Sequence, residues 1–115
     1  MADKTISIAN DFSKYPAGRS RRDGEFSAER FREDLLIPAL REAQEQGGRV
    51  IVVLDGVYGY SSSFLEESFG GLVRRKAFRP NWLRQALVVR AENPVYKTYK
   101  LDADRYLADE LAFAG

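Results

Sequence analysis

Polar and apolar positions change period several times along this chain, and each change predicts an element. Thr5–Ala9 (TISIA) alternates, which predicts a short first strand with Ile6 and Ile8 facing inward. Phe31, Leu35, Leu36, Leu40 and Ala43 recur at helical spacing. Ser27 is placed to cap that helix, Phe26 and Phe31 to staple its start, and Gly47-Gly48 to end it, with Pro38 predicting a kink. Val50–Leu54 is an unbroken, mostly β-branched run, the pattern of a central strand buried on both faces. A second helical pattern, Phe64, Leu65, Phe69, Leu72 and Val73, opens at Ser61, Ser62 and Ser63, and Ser63 with Glu66 has the form of a capping box. Gly70-Gly71 inside it predicts close backbone packing or a break in the helix.

Pro80 begins a short helical turn carrying Trp82 and Leu83, Ala86–Ala91 (ALVVRA) reads as another strand, and Asn93-Pro94 as a turn. From Val95 onward Tyr99, Tyr106, Leu107, Leu111 and Phe113 suggest a last helical region, clearest from Asp102, a candidate N-cap, to Ala112. Asn10–Glu25 is a Gly-, Pro- and charge-rich loop in which an edge strand is expected around Ala17–Arg21. Strands thus alternate with helices. The prediction is one α/β domain over residues 1–115, a small mostly parallel or mixed sheet of about four strands packed with about three helices.

Composition narrows the chemistry. At 115 residues, with 44% hydrophobic and 30% charged positions, the chain can bury a core of its own. Eighteen basic and seventeen acidic side chains leave a net charge of +1, so no overall field draws it to nucleic acid or membrane. There is neither cysteine nor histidine, which removes disulfides, thiolate chemistry, imidazole bases and the usual zinc sites; no metal or cofactor is expected. No signal peptide or membrane-spanning run is legible, and the expected location is the cytoplasm.

The candidate chemistry gathers after the central strand. Three serines at a helix start, beyond the carboxyl end of a strand, occupy the usual ligand position of an open α/β sheet. A serine enzyme would need Asp55, Glu66 or Glu67 as base, with Arg19 or Arg22 approaching from the loop. Arg19, Arg21 and Arg22 are candidates for contacting an anion. Arg74, Arg75, Lys76 and Arg79 suit a helix C-terminus, where the macrodipole favours cations, and a nucleic-acid module built on them is the weaker alternative. Tyr96, Tyr99 and Tyr106 interleave with Lys97, Lys100 and Arg105 but at helical spacing, the pattern of core residues rather than a stacking platform.

The segment LDGVYGYSSSFLEESFGGLVRR resembles the signature of STAS domains, the fold of sulfate-transporter tails and anti-sigma factor antagonists. In that alignment Ser61 falls on the motif's aspartate, Ser62 on the phosphoacceptor serine of antagonists and Ser63 on the second serine, while Gly24-Glu25-Phe26 resembles an earlier Gly-x-Leu-Asp region. The chain is more similar to a bacterial STAS-like family of unknown function. Asp11-Phe12, Gly18-Arg19, Phe31-Arg32 with Pro38, Ser62-Ser63-Phe64-Leu65 and Gly70-Gly71 carry that likeness. Phe64 and Glu66 replace glycines of the STAS motif, and Glu66 and Glu67 would repel a phosphate on Ser62. The resemblance implies a non-enzymatic regulatory module that switches partners, working with a histidine-kinase-like ATPase. Its expected contact surface is Tyr58, Tyr60, Ser61, Ser62, Ser63, Phe64 and Glu67, with Ser62 as phosphoacceptor and Ser61 and Ser63 as alternatives. An exposed edge strand with Tyr58 and Tyr60 leaves room for a homodimer.

Overall fold

The computed structural model describes residues 3–114. Three strands, β1 (Lys4–Ser7), β2 (Val50–Val53) and β3 (Leu87–Arg90), form one open parallel sheet in the order β1-β2-β3. Parallel neighbours cannot be joined by a tight turn, so each connection carries helix. A helix α1 (residues 28–46) links β1 to β2; α2 (62–74) and α3 (Pro80–Ala86) link β2 to β3; α4 (Lys97–Ala114) follows β3 and packs against α2. None of the described helices is long and apolar enough to cross a membrane.

The core lies on one face of the sheet. Ile6, Val52 and Val89 share a register row, Val50 and Leu87 the next alternate one. They meet Phe31, Leu36 and Leu40 of α1, Phe64, Phe69 and Leu72 of α2, and Ala103 and Leu111 of α4. Successive crossovers of one hand place their helices on one side, which is why a single layer forms. Ile51, Val53 and Val88 point to the other face and lie outside this core. The double burial expected of β2 is therefore uneven: Ile51 is 5% exposed at the middle of the sheet and Val53 is half-buried.

Several expectations are corrected in detail. No strand forms around Ala17–Arg21, so the sheet has three strands rather than four. Gly18 sits at φ 89°, and the Asp23 carboxylate accepts the Arg19 and Ser20 amides, which bends the segment away from extended form. Ala17 donates to the Phe26 carbonyl, while Ala28 and Glu29 donate to Gly18 and Arg19, so this loop closes on the start of α1. Phe12 stands edge-on to both Phe26 and Phe31, the rings at the start of α1. The last helix begins at Lys97, within the region expected from Val95 onward but ahead of the candidate cap Asp102, because Asn93 Oδ1 accepts the Val95 amide and a 3-10 turn, Pro94–Tyr96, feeds directly into it.

Both α1 and α2 contain a wide, π-type turn. In α1 it covers Arg32–Leu36, directly ahead of Pro38, whose missing N–H interrupts the regular ladder in place of a simple kink. In α2 it covers Glu66–Gly70 and leads into Gly71. Across this second turn runs a lattice of charge. Arg32 Nη1 lies 2.7 Å from Glu67 Oε2, Arg19 Nη1 2.7 Å from Glu66 Oε1, and Arg74 Nη1 2.6 Å from Glu66 Oε2 and 2.8 Å from Glu110 of α4. The double glycine makes room for it. A Cβ on Gly70 would stand 2.5 Å from Glu66 Oε2, and one on Gly71 would stand 2.6 Å from both Arg32 Nη1 and Glu67 Oε2.

Two predictions follow from this lattice. Alanine gains roughly 1 kcal/mol over glycine in a helix, but the Cβ must displace an ion pair. The Arg32 side chain is only 11% exposed and cannot swing into water, so Gly71→Ala is expected to lose about 2 kcal/mol net in urea unfolding. Gly70→Ala meets the far ends of Glu66 and Arg74, which are partly exposed and can shift, and is expected within about 1 kcal/mol of wild type; equal effects at the two positions would refute the packing explanation. The second concerns acid. Arg74, helped by Arg19 and opposed by partial burial, holds the Glu66 carboxyl down at about 2 from an ordinary 4.5. Its folded pKa lies below its unfolded one, so this stabilisation is complete above pH 4.5 and is lost as pH falls towards 2. Glu66→Gln should lower stability at neutral pH and flatten the urea midpoint against pH across that window. A slope as steep as wild type would show that other carboxylates carry the acid loss.

Candidate functional site

The carboxyl ends of the three strands bring together the loops after β1, β2 and β3. After β1 the chain makes one π turn, Ile8–Phe12, capped by Ser7, whose own amide donates to Asp11 Oδ2 at 2.7 Å. After β2 it turns at Gly56, φ 93°, where a Cβ would stand 3.0 Å from that of Ala9. Asp55 ties this turn to the end of β3 by accepting the Glu92 amide at 2.9 Å and the Asn93 amide at 2.7 Å. Burial pushes its carboxyl up, but the two amides prevail and the net shift is downward. Asp55 is thereby a structural clamp with both oxygens occupied.

The next residues lock the path into α2. Tyr60 is only 8% exposed and donates its hydroxyl to the Leu54 carbonyl at 2.7 Å; burial pushes its phenol well above the usual range. Tyr96 donates to the Val57 carbonyl, also at 2.7 Å, and the Tyr58 amide donates to the Lys14 carbonyl. Tyr58 itself is 75% exposed, and its ring stacks on Tyr15 with centroids 4.8 Å apart and planes 5° from parallel.

This geometry assigns the three serines different tasks. Ser61 has extended backbone and is the N-cap of α2, its Oγ accepting the Phe64 amide at 3.1 Å. The expected Ser63–Glu66 capping box does not form, because the cap lies two residues earlier and Glu66 is turned to Arg19 and Arg74. Ser63 is half-buried and its Oγ lies 3.2 Å from that of Ser61. Ser62 occupies the first helical position, is exposed, and has no side-chain hydrogen bond among the described residues. Deeper in α2, the fully buried Ser68 Oγ has no hydrogen-bond partner among the described residues.

Of the expected contact surface, Tyr58, Ser61 and Ser62 are exposed and Ser63 half-exposed. Tyr60 and Phe64 are corrected: both belong to the core, Phe64 at 0% exposure. Glu67 is half-buried against Arg32 and Arg19. Tyr15 joins the surface unannounced, since nothing in the local pattern of Lys14-Tyr15-Pro16 relates it to Tyr58. The arginines are largely committed to carboxylates. Arg19 pairs with Glu66 and Glu67, Arg21 with Asp34 at 2.8 Å, Arg74 with Glu66 and Glu110, and Arg75 with Glu33 at 3.3 Å; Arg22 has no carboxylate partner among the described residues.

Division of labour among the serines has a measurable consequence. Ser61→Ala should cost about 1 kcal/mol of folding stability through loss of the cap, whereas Ser62→Ala should stay within about 0.5 kcal/mol of wild type. Thermal and urea unfolding of the two variants side by side decides it; the reverse order would place the cap on Ser62.

A family model described as a STAS-like domain of unknown function (DUF4325) matches residues 27–97, well over half of the 115-residue chain. The matched span runs from the Ser27 cap of α1 through β2, the serines and β3 to the first residue of α4. It leaves out β1 and Tyr15, as well as Asp11-Phe12 and Gly18-Arg19. Comparisons with curated proteins and with solved structures return no match. The chain is a member of the STAS-like family of unknown function.

Proposed function

We propose that this protein is a non-enzymatic regulatory binding module whose partner surface is the Tyr15–Tyr58 pair together with Ser61 and Ser62, and that phosphorylation of Ser62 switches partner affinity. The observation that carries the reading is the contrast among the serines: one caps, one bonds to the cap, and Ser62 alone is exposed without a partner among the described residues. Family membership supports the coarse part, a regulatory binding module of STAS type. By that likeness the partner is a histidine-kinase-like ATPase, and the module acts in the cytoplasm.

Physical chemistry supports the switch. A phosphate on Ser62 would sit at the amino end of α2, where free amides and the helix dipole favour an anion. Glu66 and Glu67, which would repel it, are already neutralised by Arg19, Arg32 and Arg74. Nearly two added negative charges beside exposed, stacked tyrosines are enough to break a contact made by those rings. Asp55, Glu66 and Glu67 are engaged with amides or arginines, which supports binding over serine-based catalysis. Pairing of Arg74 and Arg75 likewise weakens the nucleic-acid alternative.

Pull-down from native lysate with wild type, Ser62→Ala, Ser62→Asp and Tyr58→Ala as parallel baits tests the reading. A partner retained by wild type and Ser62→Ala but lost with Ser62→Asp and with Tyr58→Ala is expected. Capture indifferent to all three substitutions would overturn both the surface and the switch.

A further inference from the structure

An open groove lies at the other pole of the molecule from the serines. It measures about 830 Å³ and runs between the last turns of α2 and α4, with the connection into α3 along one side. Val73, Phe78, Pro80 and Phe113 give it apolar walls, and Lys76 and Arg79 stand on its rim. Phe113 is 91% exposed, the most exposed of the large hydrophobic residues described. A bulky ring left in water beside an open groove is an incomplete surface.

The cations at this rim differ in how they are engaged. Arg74, which also lines the groove, is neutralised by Glu66 and Glu110. Lys76 and Arg79 have no carboxylate within ion-pair distance among the described residues. Lys76 carries a second anomaly: its φ is +56°, the only positive value at a non-glycine residue described. It stands just past the end of α2, where the left-handed position after a helix is normally given to glycine, as α1 does at Gly47. A lysine there costs stability relative to glycine and repays it with no internal ion pair. Strain retained at an exposed, unpaired cation on the edge of an apolar groove is the mark of a residue kept for an external ligand.

We propose that this groove docks a peptide segment of a partner protein in which a bulky apolar side chain is flanked by carboxylates. The apolar residue lies against Val73, Phe78 and Phe113, and the carboxylates meet Lys76 and Arg79. Apolar walls with only two unpaired cations favour such a segment over a nucleic-acid backbone, which is held by rows of free cations. This surface is separate from the serine end and does not depend on the function proposed for it.

The test uses the full chain and two labelled synthetic peptides, one with Phe and Leu flanked by Asp and Glu, the other with Asn and Gln in place of the acids. Fluorescence anisotropy should show the acidic peptide binding about tenfold more tightly, with the difference shrinking as salt is raised. Phe113→Ala should abolish binding without lowering the unfolding midpoint, since the ring is exposed. Lys76→Gly is the sharper variant: it should raise the unfolding midpoint and at the same time weaken the acidic peptide about tenfold. A more stable Lys76→Gly with undiminished affinity would overturn the proposal, as would equal binding of the two peptides or none. So would a single-stranded RNA oligonucleotide that binds through Lys76 and Arg79, or a concentration-dependent dimer dissolved by Phe113→Ala.

Discussion

Glu66 and Glu67, adjacent in α2, are held by three guanidinium groups that come from three parts of the chain: Arg19 from the loop after β1, Arg32 from α1 and Arg74 from the end of α2 itself. Through Arg74 the lattice reaches Glu110 of α4, and through Arg32 and Arg75 it reaches Glu33 of α1. The helices α1, α2 and α4 are therefore tied at one patch. Half-buried ion pairs contribute little net stability, because desolvation offsets most of the attraction. They do penalise wrong arrangements heavily, since a displaced guanidinium such as that of Arg32 would be left unpaired in a dry place. The wide turn and the two glycines of α2 are the local concessions that let the lattice lie flat on the helix.

That constraint organises the serine end as well. With Glu66 drawn sideways to arginine, no acidic side chain among the described residues reaches back to the start of α2, where Ser61 is the cap. Asp55 and Tyr60 then hold the entry from β2 by its backbone, through the Glu92 and Asn93 amides and the Leu54 carbonyl. A rigid approach with one uncommitted hydroxyl, beside two stacked and exposed tyrosines, follows from these anchors. The groove at the far pole is built from the opposite ends of the same helices, so the two surfaces share a core without sharing residues.

Much of this was legible in the chain. The run Val50–Leu54, the spacing of Phe31 to Ala43 and of Phe64 to Val73, and the Ser27 cap all report local geometry, which depends on neighbours a few positions away. So does the location of the serines beyond a strand end. The edge strand expected at Ala17–Arg21 failed because its backbone partners lie at Phe26, Ala28 and Glu29 and because Asp23 supplies a competing acceptor. Tyr58 and Tyr60 are alike in sequence and opposite in fate: one faces solvent and the other fills the core. No period over Tyr58-Gly59-Tyr60 distinguishes them, and the Leu54 carbonyl that decides it is reached only by folding back.

The amino-acid sequence by itself determined the alternation of strands and helices, the absence of imidazole and thiol chemistry, and the position of a hydroxyl cluster at a helix start. Periodicity, residue type and short spacing are properties of the chain alone, which is why these could be read from it. The tertiary structure alone decided which serine caps and which is free, that Tyr15 lies against Tyr58, that the two glycines shelter an ion lattice, and that Lys76 stands strained beside an open groove. Each of those depends on atoms brought together from distant parts of the chain by the burial of one shared core, and contacts of that kind leave no local signature.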